Sequence, residues 1–236
     1  MNILLTGANG FLGKKIYTLL KLKNHKIDSV NLRKAKNIKI FLNDISSKNY
    51  DYIINCAASI KPKNEQEKYI NEIFPFDIQQ KVLNKKTILI HISTLNVLNE
   101  NLKDLYSLGK FNAEKKLIKK NLIIIRPNLI IDDNFAISRK EFEKYIKLPF
   151  RFLPMIYPGN LYSPINVNKL SEFIIGLIEK NFSTPKIYNI HGNKDYNLWQ
   201  IFDNFCKTKN KKAIKLNIQL IDRLLPNFIR SKFKKN

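Results

Sequence analysis

The chain has 236 residues, 44% of them hydrophobic, enough for one sizeable core and a small subdomain built from insertions. Its net charge of +23 comes from 42 lysines and arginines against 19 acidic residues, but only six of the cations are arginine. The lysines are scattered among abundant Asn and Ile, the usage of an AT-rich genome and not the clustered arginine of a nucleic-acid surface, so a nucleic-acid partner is excluded.

Cys56 and Cys206 are too few for a disulfide framework or a metal cluster, and no run approaches the roughly 18 apolar residues of a membrane span. The N-terminus enters a strand directly, without the charged and apolar regions of a signal peptide, so a cytoplasmic protein is expected.

In chain order, NILLT (2–6) reads as a buried strand, and TGANGFLG (6–13) then gathers three of the chain's seven glycines. A helix follows Gly10, with Phe11, Leu12, Ile16, Leu19 and Leu20 on its apolar side. Further strands are expected at KIDSVNL (26–32), IKIFLND (38–44), YDYIINCAA (50–58), TILIHIST (87–94) and LIIIRP (122–127). Helix-length segments lie between most of them, one near 107–120 ending in cations that suit a helix C-terminus. Such alternation predicts an α/β fold with a doubly wound parallel sheet, Rossmann-like.

From 128 to 164 the pattern loosens, and LPFRFLPMIYPGNLYSP brings four prolines among aromatic residues, a length of loop that in compact domains is often functional. A helix is expected at about 167–180, a strand at 186–192, a helix at about 197–208 and a basic amphipathic tail. The organisation expected is a main domain of 1–127 and 165–192, with a small C-terminal substrate subdomain of 128–164 and 193–236.

A chain that leaves a strand and starts a helix beside a pyrophosphate needs tight turns, close backbone approach and a helix seated near the sheet, and each need favours glycine. Gly7, Gly10 and Gly13 meet these needs at the spacing G-x-x-G-x-x-G, and the helix N-terminus offers its amides to phosphate. The second strand then ends in VNLRKAKN, where no carboxylate awaits the adenosine ribose and Arg33 suits a 2′-phosphate, so NADP(H) is favoured over NAD(H).

Reducing a ketone requires a proton at the nascent alkoxide, and a phenol supplies it well once its pKa falls toward neutrality. A three-unit fall from about 10 takes roughly 4 kcal/mol, within reach of a nearby cation in a partly desolvated site. YSLGK places Lys110 four residues after Tyr106, on one helix face. HIST, at the end of the preceding strand, adds the hydroxyls of Ser93 and Thr94, either of which can hold a carbonyl oxygen.

In order, TGANGFLG, FLNDI (41–45), YIINCAAS (52–59), IIIRPNLI (123–130), YSPINVNKLSEFIIGLIE (162–179) and IYNIHG resemble the extended branch of the short-chain dehydrogenase/reductase superfamily, over about residues 1 to 192. That branch contains the nucleotide-sugar epimerases, dehydratases and reductases. The resemblance implies cofactor contacts from Gly7, Asn9, Gly10, Phe11 and Leu12 at the turn, Asp44 and Ile45 at the adenine, and Ala57 and Ala58 after the next strand. It also implies that Thr94, aligned on Val97, holds the substrate oxygen in preference to Ser93, and that Lys110 binds the nicotinamide ribose. A nucleotide-sugar substrate follows, with a homodimer through helices at about 64–84 and 107–120 as the candidate assembly.

Two departures shape the expected activity. Only 12 residues separate Thr94 from Tyr106, about half the family's interval, and Leu95 and Asn96 stand where dehydratases carry Asp-Glu, which disfavours dehydration. The expected function is reduction of a nucleotide-activated keto-deoxy sugar at C4, in surface-glycan biosynthesis. A C4 epimerase and a non-catalytic NAD(P)-binding protein are the alternatives. His91 is expected to be a core or supporting histidine, Cys56 a small buried residue and Arg126 a structural end to its strand.

Overall fold

A computed structural model describes residues 1–30, 32, 38–82, 85–137, 140–180 and 185–217. The chain opens with β1 (Asn2–Thr6), α1 (Phe11–Leu22), β2 (Lys26–Val30), α2 (Ile38–Ser47), β3 (Tyr52–Asn55), α3 (Glu65–Glu72), α4 (Phe74–Val82) and β4 (Ile88–Ile92). A 3-10 turn (Leu95–Leu98), α5 (Leu105–Lys116), β5 (Leu122–Pro127), β6 (Ile130–Ile131) and α6 (Lys140–Ile146) follow. The remainder is β7 (Phe152–Tyr157), β8 (Leu161–Tyr162), β9 (Ile165–Asn166), α7 (Val167–Glu179), β10 (Lys186–Ile190), β11 (Tyr196–Asn197), α8 (Leu198–Lys207) and β12 (Lys212–Asn217).

These elements form two compact units, one of Met1–Ile130 with Ile165–His191, the other of Ile131–Pro164 with Gly192–Asn236. In the first, six strands pair in the order β10-β5-β4-β3-β1-β2, every pair parallel. Because successive strand residues face opposite sides, the unbroken apolar runs feed two cores at once. Ile3, Leu5, Ile54, Ile90, Ile92, Ile123 and Ile125 pack against Leu12, Ile16 and Leu20 of α1 and Leu170, Ile174 and Ile178 of α7. Leu4, Ile53, Leu89 and Ile124 turn the other way, onto Leu42 and Ile45 of α2, Ile70 of α3, Phe74, Ile78 and Val82 of α4, and Leu117.

The strand expected at 38–44 is instead part of the helix α2, so the sheet has six strands and not seven. Ile38, Phe41, Leu42 and Ile45 recur at helical spacing, and Leu42 and Ile45 are buried while Ile40 is 59% exposed. Period 3.6 outweighs the brief alternation of IKIFL. Asp44 and Ile45, expected at a strand end, are thereby moved to the last turns of α2.

The second unit holds α6, α8 and two small sheets, β7 with β12 in parallel and β8 with β11 antiparallel. Phe142, Leu153, Ile201, Phe202, Phe205 and Ala213 are buried in it, and the Phe142 ring meets Phe202 edge-on at 4.9 Å between centroids. The loosened region of the sequence therefore contains short regular elements. The basic tail lies outside the described residues.

The glycine turn fixes how α1 meets the sheet. A Cβ at Gly13 would stand 2.2 Å from the Gly7 carbonyl oxygen, a backbone atom with no freedom to withdraw. Gly176 in α7 has nothing within 4 Å of its Cβ position. Gly13→Ala is expected to cost about 3 kcal/mol or more, whereas Gly176→Ala gains about 0.5–1 kcal/mol from helix propensity. Urea unfolding midpoints of the two variants check this; equal shifts would contradict the close approach.

Candidate active site at the strand ends

The strand order reverses between β1 and β3, since β2 lies on one side of β1 and β3 with β4 on the other. Open parallel sheets bind ligands at such a reversal, outside the C-terminal strand ends. Gly7 leaves β1 with φ +71°, and its Cβ position lies 2.8 Å from the Cys56 carbonyl and the Ala57 nitrogen. Only glycine lets the turn press this closely on the chain leaving β3.

Gly10 caps α1 through its backbone alone, without a side-chain hydrogen bond, and the first turn carries no acidic residue. The opening amides of a 12-residue helix thus keep their partial positive charge for an external acceptor. Asn9 and Gly10 are exposed, Phe11 and Ala58 partly buried, and Leu12 and Ala57 buried, so Leu12 faces the core and offers its backbone to the turn. This cradle fits the diphosphate of a dinucleotide. Among the described residues no cluster of His, Cys, Asp and Glu suits a metal ion.

α5 begins at an aspartate cap, where Asp104 Oδ1 accepts the Ser107 N–H at 2.9 Å. The cap puts Tyr106 in the first turn, partly buried, and Lys110 one turn later with 1% exposure. Lys110 Nζ donates to the Ile92 carbonyl at 2.7 Å, at the end of β4. Burial lowers its pKa to about 8, against the opposing pull of Cys56 and Glu114. Thr94 is 8% exposed, and its Oγ1 accepts the Asn96 N–H at 3.3 Å, which leaves the hydroxyl proton for another acceptor.

Ser93 is committed elsewhere. Its hydroxyl donates to Glu114 Oε1 at 2.5 Å, and Arg126 grips the same carboxylate with Nε at 3.1 Å from both oxygens and Nη2 at 2.5 Å from Oε2. Behind β4, Thr6 donates to Asn55 Oδ1 at 2.6 Å, and Asn55 Nδ2 lies 3.2 Å from His91 Nδ1. Burial, then the Lys110 charge, holds His91 well below the usual imidazole range, and its Nε2 has no hydrogen-bond partner. Burial likewise pushes the Cys56 thiol up to about 12, although part of the residue remains exposed. Asn71 of α3 pins the segment after β3, with Oδ1 taking the Ser59 N–H at 2.8 Å and Nδ2 donating to the Ser59 carbonyl at 2.7 Å.

The glycines, Ala57 and the end of β4 with Lys110 therefore come together at the strand ends. Asp44 and Ile45 do not join them, because Ile45 is buried under the sheet beside Leu4 and Ile53. Arg33 lies outside the described residues. Glu114 and Asn71 had no part in the sequence reading. Glu114 was legible as the third residue in the series Tyr106, Lys110, Glu114 at four-residue steps, whereas no local signal marks Asn71.

Residues 1–110, from the glycine turn through Lys110, match the family described as RmlD substrate binding domain. A UDP-glucose 4-epimerase of Vibrio cholerae is 24% identical over 238 residues, with 82% of this chain and 71% of that protein aligned. Among solved structures, a dTDP-4-dehydrorhamnose reductase from Bacillus anthracis in complex with NADP superimposes with a TM-score of 0.74 at 21% identity, covering 92% of this chain and 83% of that one. A dTDP-glucose 4,6-dehydratase from the same species in complex with NAD gives 0.71 at 19% identity, covering 92% and 84%. These likenesses establish a fold shared with those solved structures. No helix among the described residues is long and apolar enough to cross a membrane.

Unfolded, a lysine titrates near 10.5, and folded Lys110 does so at about 8, so between these values the unfolded chain binds more protons and stability rises with pH. Relative to a Lys110→Met variant, the wild type is expected to gain about 2–3 kcal/mol between pH 7 and pH 10. The raised Cys56 thiol works in the opposite sense at alkaline pH but is common to both proteins. Denaturant unfolding at the two pH values checks this; parallel behaviour would contradict a desolvated Lys110 cation.

Proposed function

We propose that this chain, with the extended short-chain dehydrogenase/reductase fold and a first half that matches the RmlD family, is an NAD(P)H-dependent reductase of a nucleotide-activated keto-deoxy sugar, acting at the C4 ketone. The observation that carries the reading is the burial of the Lys110 cation one helical turn from Tyr106, tied to the strand end that leads into Thr94. A cation in such a place opposes folding unless charged work repays it.

A nicotinamide dinucleotide, when bound, supplies the hydride to the carbonyl carbon. Gly7, Gly10 and the first amides of α1 hold its diphosphate, and Ala57 lies against the same turn. The Thr94 hydroxyl donates a hydrogen bond to the substrate's carbonyl oxygen. Tyr106 gives that oxygen its proton, and Lys110 favours the phenolate that remains. Leu95 and Asn96 open the 3-10 turn where a dehydratase needs an acid and a base, which favours reduction over dehydration.

NADPH is the preferred form in this reading because of Arg33 and the basic residue beside it, Lys34. The neighbours include both an NADP complex and an NAD complex. The Vibrio cholerae match supports a second reading, C4 epimerisation, which uses the same three residues with a retained cofactor. A cytoplasmic role in surface-glycan synthesis, as a homodimer, accompanies the proposal.

The test is hydride transfer from NADPH, with dTDP-4-dehydrorhamnose as the first probe and other nucleotide-linked 4-keto sugars after it. Tyr106→Phe is expected to lower turnover about 100-fold or more, the scale of a lost general acid, while NADPH affinity stays within about twofold. Full turnover by the variant would remove Tyr106 from the role of proton donor. A wild type that binds NADPH yet reduces no keto sugar would favour the non-catalytic alternative.

A further inference from the structure

Tyr106, Lys110 and Glu114 follow one another at four-residue steps along α5 and so share a face. Two of them tie the helix to consecutive residues at the end of β4: Lys110 Nζ to the Ile92 carbonyl at 2.7 Å, and Glu114 Oε1 to the Ser93 hydroxyl at 2.5 Å. The next residue is Thr94. Ser93 is also held from the other side, since its N–H donates to the Ile125 carbonyl of β5 at 2.7 Å.

Arg126, one residue beyond Ile125, completes the arrangement by placing Nε and Nη2 on the Glu114 carboxylate. With side chains 16% and 8% exposed, this is the most deeply buried ion pair among the described residues. One carboxylate thus joins α5, the end of β4 and β5. Buried ion pairs add little net stability over apolar residues of the same shape, because desolvation offsets the attraction. What a carboxylate held by three donors does supply is fixed direction.

We propose that Glu114, held by Arg126, is a positioning residue that sets the Ser93–Thr94 backbone against α5, so that the Thr94 and Tyr106 hydroxyls address one substrate oxygen. The inference rests on the reductase reading above. It assigns Arg126 more than a strand-ending role and explains why Ser93, despite its hydroxyl, is not the residue left to meet substrate. Proximity effects are steep: a displacement of about 1 Å in an active site costs up to about 100-fold.

The experiment uses the full chain with NADPH and dTDP-4-dehydrorhamnose, comparing wild type, Ser93→Ala and Glu114→Gln. Ser93→Ala removes one tie and leaves the ion pair whole, so it remains informative if Glu114→Gln fails to fold. Ser93→Ala is expected to lower kcat about tenfold, with the NADPH dissociation constant and the urea midpoint nearly unchanged. Glu114→Gln is expected to lower kcat further. Unchanged kcat in both variants would overturn the proposal. So would a parallel loss of kcat, NADPH affinity and stability, which marks a purely structural prop.

A second readout needs no sugar. The tyrosinate absorbance of Tyr106, taken as the difference from Tyr106→Phe with NADP+ bound, is expected to titrate about one pH unit higher in Ser93→Ala than in wild type. Coincident titrations would overturn the positioning role. If wild type reduces no keto sugar yet its Tyr106 titration moves as expected in Ser93→Ala, the substrate reading fails and the positioning role stands.

Discussion

The site depends on a close backbone approach between Gly13 and Gly7. Because a Cβ at residue 13 would fall 2.2 Å from the Gly7 carbonyl oxygen, α1 lies nearer to β1 than any other residue at that position allows. That contact aims the helix N-terminus at the C-terminal edge of the sheet, where Gly7 in turn presses on Cys56 and Ala57. The strand order reverses at the same place, so the amides of α1, the segment after β3 and the end of β4 face one region. Two apolar layers hold the sheet rigid beneath it, Leu5 and Ile54 pointing one way, Leu4 and Ile53 the other.

Electrostatics of the site is local, and the chain's +23 says little about it. Around the end of β4, burial disfavours charge on Lys110, His91 and Cys56. His91 stays neutral and Cys56 stays protonated, while Glu114 pairs with Arg126. Lys110 is left with a carbonyl as its hydrogen-bond partner and a pKa of about 8. It is the cation in this group without a carboxylate in contact, and it stands one helical turn from a phenol. The proposed chemistry uses that imbalance.

Much of this was legible because it depends on local spacing. The glycine pattern between a strand and a helix located the turn, and YSLGK located the tyrosine and lysine, since both rest on helical or strand periodicity. The misreading at 38–44 had a physical source: IKIFL alternates briefly, but only the full set of Ile38, Phe41, Leu42 and Ile45 shows which period buries apolar surface. The same error put Asp44 and Ile45 at a strand end. Glu114, at four residues from Lys110, carried a usable signal, whereas Arg126 joins it across 12 residues and a change of element. Asn71 meets Ser59 only after α3 folds back, and no local pattern announces it. The short interval from Thr94 to Tyr106 is filled by a 3-10 turn and the Asp104 cap, a solution visible only in the fold.

The central claim is that the reversal of strand order holds a nicotinamide dinucleotide. It is tested most directly by titrating the purified chain with NADPH and NADH, following nicotinamide fluorescence at moderate salt, where screening suppresses nonspecific attraction to a cationic surface. Saturable binding, tighter for NADPH than for NADH, is the result the account predicts. Absence of binding by either form, in protein shown to carry no nucleotide already bound, would contradict it.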